Sequence, residues 1–192
     1  MAFQFVAVGT SLGGFHALAT VLGGLSKDFP LPIAVVQHRS HEDSHDLTPL
    51  LGNKLQLPVT EVDDKETIKE GHIYICPPNY HMLVENGHFA LSTDAPVLYA
   101  RPSIDVLFET AAEIYREAVI GVLLTGMSKD GTAGLKRIKE LGGYAVVQDP
   151  AAAEGQIMPR AAIDSVAVDK VLPLEDIAVF LTLLCAGLRT QV

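Results

Sequence analysis

Three side chains of the kind that carry out acyl transfer stand at the ends of apolar runs in this sequence. Ser11 lies in residues 9–13, GTSLG, which match the Gly-x-Ser-x-Gly turn that exposes a nucleophilic serine. His38 closely follows the apolar run 33–36, and Asp130 comes after the apolar run 119–124. A serine, a histidine and an aspartate supply a nucleophile, a base and a group that orients the base.

Each of the three residues also has a simpler interpretation. Ser11 could be an ordinary turn residue, and His38 a partly buried histidine at the end of a strand. Asp130 could be the N-cap of a following helix, a common role for aspartate. The catalytic interpretation is favoured because the carboxyl ends of parallel strands meet at one edge of a sheet, where ligands bind.

The elements that must position these residues alternate between strand and helix. This alternation predicts an α/β fold, a doubly wound and mostly parallel sheet with flanking helices. An Asn-Gly pair at 86–87 between two strand-like runs predicts an antiparallel hairpin insertion. Strands are predicted at 3–8, 33–36, 59–62, 72–75, 81–84, 89–92, 119–124, 144–147 and 166–172, and helices at 14–22, 46–55, 101–115, 132–141, from 158 and at 174–188.

Composition narrows the class of protein. The 192 residues are enough for one domain with a core, predicted to span 1–192. A net charge of -9 and the absence of tryptophan argue against a nucleic-acid surface. No apolar stretch is long enough to insert in a membrane, and no basic region precedes the first one. Two cysteines without a disulfide pattern suit the cytoplasm.

Two other kinds of site have to be weighed against the serine hydrolase. The first is a dinucleotide site, but residues 9–14 have serine where Gly-x-Gly-x-x-Gly needs its second glycine, and the second strand ends in His38 rather than an acid. The second is a zinc site, since residues 41–45, HEDSH, fit His-Glu-x-x-His. Asp43 and the nearby Pro49 are poorly suited to the core helix which that motif occupies, so no metal site is expected.

Five separated segments, in order along nearly the whole chain, also carry a family resemblance. They are VAVGTSLGG (6–14), VQH (36–38), YICPPNYHM (74–82), RPSIDVLF (101–108) and LTGMSKDG (124–131). Together they resemble the catalytic domain of the bacterial chemotaxis methylesterase family, CheB. The resemblance implies hydrolysis of glutamyl methyl esters on the cytoplasmic helices of chemoreceptors, and deamidation of receptor glutamines as a second activity. It implies Ser11 as nucleophile, His38 as base and Asp130 as third triad member, without metal or cofactor.

The resemblance is less specific about the oxyanion and substrate contacts. It points to the backbone N–H of Met127, with Thr10, Leu12 and Arg101 as further candidates near the oxyanion or the substrate. Arg101 belongs to a family motif without a role that the sequence reveals.

This chain departs from the family pattern at several positions. Relatives often have threonine where this chain has Leu12, histidine where it has Ala100, and glycine where it has Ser128. The usual enzyme also carries an N-terminal receiver domain, whereas here the resemblance to the catalytic domain starts near residue 1. We therefore expect that this control is missing, is replaced by a separate regulatory partner, or lies on a segment outside this sequence. The alternatives are a non-catalytic module that binds receptor helices, and an esterase or amidase with another substrate.

Overall fold

The computed structural model describes residues 2–39 and 47–187. Its centre is a seven-stranded sheet in which every neighbouring pair of strands is parallel. The strands of this sheet are β1 (Phe5–Thr10), β2 (Ile33–Gln37), β3 (Val59–Glu61), β4 (Ile73–Ile75), β7 (Val119–Leu123), β8 (Tyr144–Gln148) and β9 (Lys170–Leu172). Two further strands, β5 (His81–Val84) and β6 (Phe89–Ser92), lie outside it. The helices are α1 (Gly14–Gly23), α2 (Thr48–Gly52), α3 (Ile104–Tyr115), α4 (Thr132–Glu140), α5 (Ile157–Ser165) and α6 (Leu174–Cys185).

The strand order places β1 near the middle of the sheet. The order is β3-β4-β2-β1-β7-β8-β9, so the first half of the chain builds one side of β1 and the second half builds the other. The sequence order of strands therefore reverses direction at β1, which makes the carboxyl end of β1 the topological switch point where ligands bind in such sheets. The α/β, mostly parallel fold predicted from the sequence is confirmed.

The sheet is covered on both faces, which explains why its central strands are continuous apolar runs. Alternate residues of β1 enter two separate core clusters, since successive side chains of a strand point to opposite faces. Phe5 and Ala7 join the cluster that includes side chains of α3, α4 and α5, while Val6 and Val8 join the cluster with α1 and α6. All four residues are fully buried.

The antiparallel hairpin predicted around Asn86-Gly87 is also present. β5 and β6 pair antiparallel and form a two-stranded sheet apart from the main one. Gly87 has a φ of +81°, a conformation that glycine adopts without steric cost. The ribbon packs on the same side of the sheet as α3, because Met82, Val84 and Phe89 lie in the α3 cluster.

Several element boundaries differ from the prediction. The helix predicted at 174–188 ends at Cys185, and the strand predicted at 166–172 is only Lys170–Leu172. The helix expected at 46–55 is only the five residues of α2, with Pro49 in its first turn as predicted and residue 46 outside the described part. The helix expected from Arg101 begins at Ile104, because Ser103 is extended and forms its N-cap. Within the described residues, none of the helices is both long and apolar enough to cross a membrane.

Candidate active site

The backbone brings Ser11 and His38 side by side. Thr10 is paired with Gln37 in the parallel register of β1 and β2, so Ser11 and His38 occupy the next step on each chain. The N–H of His38 donates to the carbonyl oxygen of Thr10 at 3.0 Å, which extends the ladder to that step. On the other side, the N–H of Ser11 donates to the carbonyl oxygen of Thr125 at 2.9 Å. Ser11 is therefore held between the chain segments that follow β2 and β7.

His38 and Asp130 are in direct contact. The distance from His38 Nε2 to Asp130 Oδ2 is 2.6 Å, although the two residues are 92 positions apart. The His38 side chain is 15% exposed, and that of Asp130 is fully buried. A carboxylate can only accept, so Nε2 carries the proton and Nδ1 is left with the lone pair of a base. A direct hydrogen bond from Ser11 to His38 is not among the contacts of the described residues, and such bonds often close only with substrate bound.

Four further donors surround the Asp130 carboxylate. The Ser103 hydroxyl donates to Oδ1 at 2.9 Å, and the N–H groups of Asp105 and Gly131 donate to the same oxygen at 3.0 and 3.1 Å. The N–H of Ile104 donates to Oδ2 at 2.7 Å. Burial opposes ionisation of this carboxyl, but the hydrogen bonds from His38 and from the first turn of α3 outweigh it and lower the pKa of Asp130. The group is thereby kept as the anion that orients a histidine.

Asp130 does not act as the N-cap of the helix that follows it. Gly131 is the N-cap of α4, with a φ of +93°. A Cβ atom at Gly131 would lie 2.6 Å from Leu123 Cδ1 and 2.8 Å from Ile104 Cγ2, so glycine fits for reasons of space as well as conformation. Asp130 instead accepts from the first turn of α3, a different helix.

The loop after β7 lies against Ser11 on the side away from His38. A Cβ atom at Gly126 would come within 2.9 Å of Ser11 Cβ and 2.6 Å of Met158 Cε. The Gly126 N–H donates to Gly155 O and its carbonyl accepts from Met158 N–H, which fixes the loop. Met127, the next residue, is exposed.

The weaker candidates occupy different positions. Thr10 is fully buried, and its hydroxyl donates to the carbonyl oxygen of Thr125 at 3.0 Å, so its side chain ties β1 to the loop after β7. Leu12 is exposed, and its carbonyl accepts from the Thr125 hydroxyl. The Arg101 guanidinium donates to the carbonyl oxygens of Thr93 and Asp94 at 2.8 and 3.0 Å, which fastens the segment after β6.

Metal ligands and cysteine nucleophiles can be examined only in the part of the chain that the structure describes. The zinc-like pattern at 41–45 lies outside residues 2–39 and 47–187 and stays untested. Within those ranges no group of three or more His, Cys, Asp or Glu side chains could hold a metal ion. Cys76 is buried, and that burial raises the pKa of its thiol far above neutrality, so it is not a thiolate nucleophile.

Sequence reasoning missed the supporting residues of the site. Ser103 and Asp105 both touch Asp130, and Ser103 in turn contacts His81. A serine before a helix is easily recognised as an N-cap, but the Ser103 side chain makes no capping hydrogen bond to its own helix. Its bond to Asp130 depends on the packing of α3 against the loop before α4, which no local pattern reveals.

Comparison with known proteins identifies the family of this chain. The family model for the CheB methylesterase matches residues 6–181. A Leptospira interrogans protein, named provisionally as a protein-glutamate methylesterase/protein-glutamine glutaminase, is 46% identical over 179 residues, 93% of each chain. An Anaeromyxobacter dehalogenans protein-glutamate methylesterase/protein-glutamine glutaminase is 42% identical over 174 residues, 91% of this chain but 51% of the relative.

A solved structure shows the same fold. The crystal structure of the Thermotoga maritima CheB methylesterase catalytic domain superposes with a TM-score of 0.90 and 35% identity, covering 96% of this chain and 100% of that one. An identity of 35% over nearly the whole of both chains indicates that the two proteins belong to the same family, and not only to the same fold class. With its switch-point serine, histidine and aspartate and a family model over residues 6–181, the chain belongs to the CheB methylesterase family.

Proposed function

We propose that this chain is a serine hydrolase that removes methyl groups from glutamyl methyl esters of chemoreceptors. In this proposal Ser11 is the nucleophile, His38 the base and Asp130 the group that orients the base. The observation that carries it is the 2.6 Å contact of His38 Nε2 with the buried Asp130. His38 lies opposite Ser11, because each directly follows a member of the paired residues Gln37 and Thr10. Such a constellation is recognised by geometry and roles rather than by the order of residues in the chain.

The first half of the reaction transfers the acyl group to the enzyme. His38 Nδ1 takes the proton from Ser11 Oγ as this oxygen bonds to the ester carbonyl carbon, and the carbonyl π electrons move onto the oxygen. Asp130 stabilises the imidazolium that results. When the oxyanion collapses, the bond to the methoxy oxygen breaks, and that oxygen takes the proton from His38 and leaves as methanol.

The second half returns the enzyme to its starting state. A water molecule gives a proton to His38 Nδ1 and attacks the acyl carbon, and Ser11 Oγ leaves with that proton. The sum is ester plus water to carboxylic acid plus methanol. This reaction needs no metal or cofactor.

The backbone N–H groups of two exposed residues are suited to binding the oxyanion. Within the described part of the chain, the N–H groups of Leu12 and Met127 donate to no protein acceptor. Leu12 directly follows Ser11, and Met127 directly follows Gly126, which packs on Ser11. The first turn of α1 adds a partial positive charge just beyond Ser11. Donors preorganised at such a position stabilise the charge that develops in the transition state.

The same steps apply to an amide if ammonia replaces methanol as the leaving group. Relatives of this chain are named for glutaminase as well as methylesterase activity. The proposal therefore includes deamidation of receptor glutamines. Cytoplasmic helices of chemoreceptors are the proposed partner and the cytoplasm the proposed location.

The test is methanol release from a methylated receptor fragment. Wild type is compared with Ser11→Ala and with Ser26→Ala, a matched control, since Ser26 is exposed and lies beyond the end of α1. Release is expected from wild type and Ser26→Ala, with or without EDTA, and a loss of about 1,000-fold or more in Ser11→Ala. Release that persists in Ser11→Ala would exclude the serine mechanism. Release that EDTA abolishes would support a metal site instead.

A further inference from the structure

His81 is a buried histidine that the proposed chemistry does not use. It is the first residue of β5 and is almost completely buried. It belongs to the segment 74–82, one of the five that carry the family resemblance. No step of the proposed reaction uses a residue of this segment. A buried polar side chain of this kind usually has specific hydrogen-bond partners.

The partners of His81 fix which of its ring nitrogens carries the proton. The Ser103 backbone N–H donates to Nδ1 at 3.2 Å, and Nε2 lies 3.2 Å from the carbonyl oxygen of Ala95. A backbone N–H is only a donor and a carbonyl oxygen only an acceptor, so Nδ1 has to be unprotonated and Nε2 protonated. Both contacts are satisfied only by the neutral ring with its proton on Nε2.

Ser103 connects this ring to the proposed triad. Its hydroxyl donates to Asp130 Oδ1, and the next two N–H groups, those of Ile104 and Asp105, also donate to Asp130. Three of the five donors around this carboxylate therefore belong to residues 103–105, and the first N–H of this stretch, that of Ser103, donates to His81. The remaining two are Gly131 N–H and His38 Nε2.

We infer that His81 is a positioning residue for catalysis: its unprotonated Nδ1 holds the Ser103 backbone and, through Ser103, the orientation of Asp130 against His38. The inference rests on the proposed function, since it concerns the rate of that reaction. A misplacement of about 1 Å at a catalytic group costs on the order of 100-fold in rate. A residue that only fills space would affect stability and leave the turnover of folded enzyme unchanged.

Two substitutions that both place a neutral amide at position 81 distinguish a positioning role from one of filling space. In His81→Asn the amide oxygen is attached to Cγ, where the imidazole carries Nδ1, so an acceptor for Ser103 N–H is kept. In His81→Gln the amide group lies one atom further out, nearer to the position of Nε2, so the contact with Ala95 can be kept and the acceptor for Ser103 is lost. Both variants are neutral and shorten or reshape the buried ring, so a packing defect should affect both.

The kinetic readout is kcat measured apart from KM for methanol release, on protein shown to be folded by its thermal transition. His81→Gln is expected to lose about tenfold or more in kcat with KM nearly unchanged. His81→Asn is expected to keep kcat within about threefold of wild type. Equal kcat values for the two variants, whether both are normal or both low, would overturn the inference.

A second readout does not depend on activity. The ring nitrogens of His81, assigned by comparison with His81→Asn in uniformly ¹⁵N-labelled protein, are expected to show the Nε2–H tautomer at about pH 8. The proton between His38 and Asp130 should give a downfield resonance that is kept in His81→Asn and shifted or broadened in His81→Gln. An Nδ1–H tautomer, or an unchanged resonance in both variants, would overturn the inference. If wild type releases no methanol but these spectra are as expected, the substrate is wrong and the positioning contact stands.

Discussion

Asp130, which precedes α4, accepts hydrogen bonds from the start of α3, and Asp105, which lies in α3, accepts one from the start of α4. Asp130, just before α4, accepts the N–H groups of Ile104 and Asp105 in the first turn of α3. Asp105, in that first turn, accepts the N–H of Gly134 in the first turn of α4 at 2.7 Å. The first N–H groups of a helix have no partner within it, so each carboxyl group accepts from donors that would otherwise be buried and unpaired. The proposed catalytic aspartate is thus also part of the joint between two helices.

This dual role predicts that substitutions at two residues of the proposed triad differ in their effect on the free energy of unfolding. Asp130→Ala should lower the free energy of unfolding by about 3 kcal/mol, because it leaves buried donors of Ser103, Ile104 and Asp105 without an acceptor. Ser11→Ala removes a hydroxyl without a hydrogen bond among the described residues and should change that free energy by less than about 0.5 kcal/mol. Urea denaturation of both variants measures the difference.

Asp130→Asn is the companion variant for the catalytic role. It keeps one acceptor oxygen and should therefore be more stable than Asp130→Ala. In proteases with a Ser-His-Asp triad, however, the exchange of this aspartate for asparagine lowers kcat by about 10⁴. A folded Asp130→Asn enzyme with activity close to wild type would contradict the proposed role of Asp130.

The Asp105 carboxyl predicts a pH dependence of stability. Burial raises the pKa of Asp105, and the negative charge of Asp130 raises it further. The hydrogen bond from the Gly134 N–H lowers this pKa but does not offset the two raising effects. The native state therefore keeps a proton that the unfolded chain loses above about pH 4, the ordinary aspartate value. Unfolding becomes easier as pH rises through the window between that value and the raised pKa.

Asp105→Asn removes this titration and keeps an oxygen for Gly134 N–H. The free energy of unfolding of the variant relative to wild type should move in favour of the variant between about pH 5 and pH 8. Both pH values lie above the range in which Asp130, whose pKa is lowered, takes up a proton. A difference that stays constant over this range, or moves in favour of wild type, would contradict a pKa of Asp105 that is raised in the folded state.

Gly126 is expected to be needed for the position of Ser11. In Gly126→Ala the new methyl group would lie 2.9 Å from Ser11 Cβ, closer than real contacts allow, and should shift the serine. We expect kcat to fall by about tenfold or more in a folded enzyme. The control is Gly52→Ala, where the nearest atom, Val59 Cγ1, is at 3.5 Å and activity should be unchanged. Wild-type kcat in Gly126→Ala would mean that Ser11 tolerates this displacement.

A tight turn at Leu98-Tyr99 predicts a site of easy stabilisation. Both residues have positive φ values, +47° and +65°, between Val97 and Ala100, which exchange two backbone hydrogen bonds. Tyr99 is 100% exposed. Two-residue hairpins with positive φ at both positions favour Asn-Gly, because large side chains are strained there.

Replacing Leu98 by Asn and Tyr99 by Gly should raise the free energy of unfolding by about 1 kcal/mol. Urea denaturation measures this, and methanol release from the same protein shows whether the exposed ring serves the reaction. A loss of activity with gained stability would identify the turn as a functional contact. A loss of stability would show that the wild-type turn is not strained.

The sequence predicted the site to the extent that local pattern and sheet geometry determine it. The glycine turn predicts Ser11, and the positions after apolar runs predict His38 and Asp130, because parallel strands bring such residues to one edge. The start of α3 was placed three residues too early because Pro102 was expected in the first helical turn, whereas the extended Ser103 delays the helix to Ile104. The contacts of His81 and Ser103 stayed hidden, since they join segments whose proximity only the folded chain defines.

The crossed capping of α3 and α4 bears on how such a domain would change if it lost its activity. Ser11 could drift to alanine or glycine with little effect on folding, whereas Asp130 would still be selected for the sake of the two helices. An aspartate at this position in a related chain is therefore weak evidence that the chain is an enzyme. The serine at the switch point is the position to inspect first when active and inactive members have to be told apart.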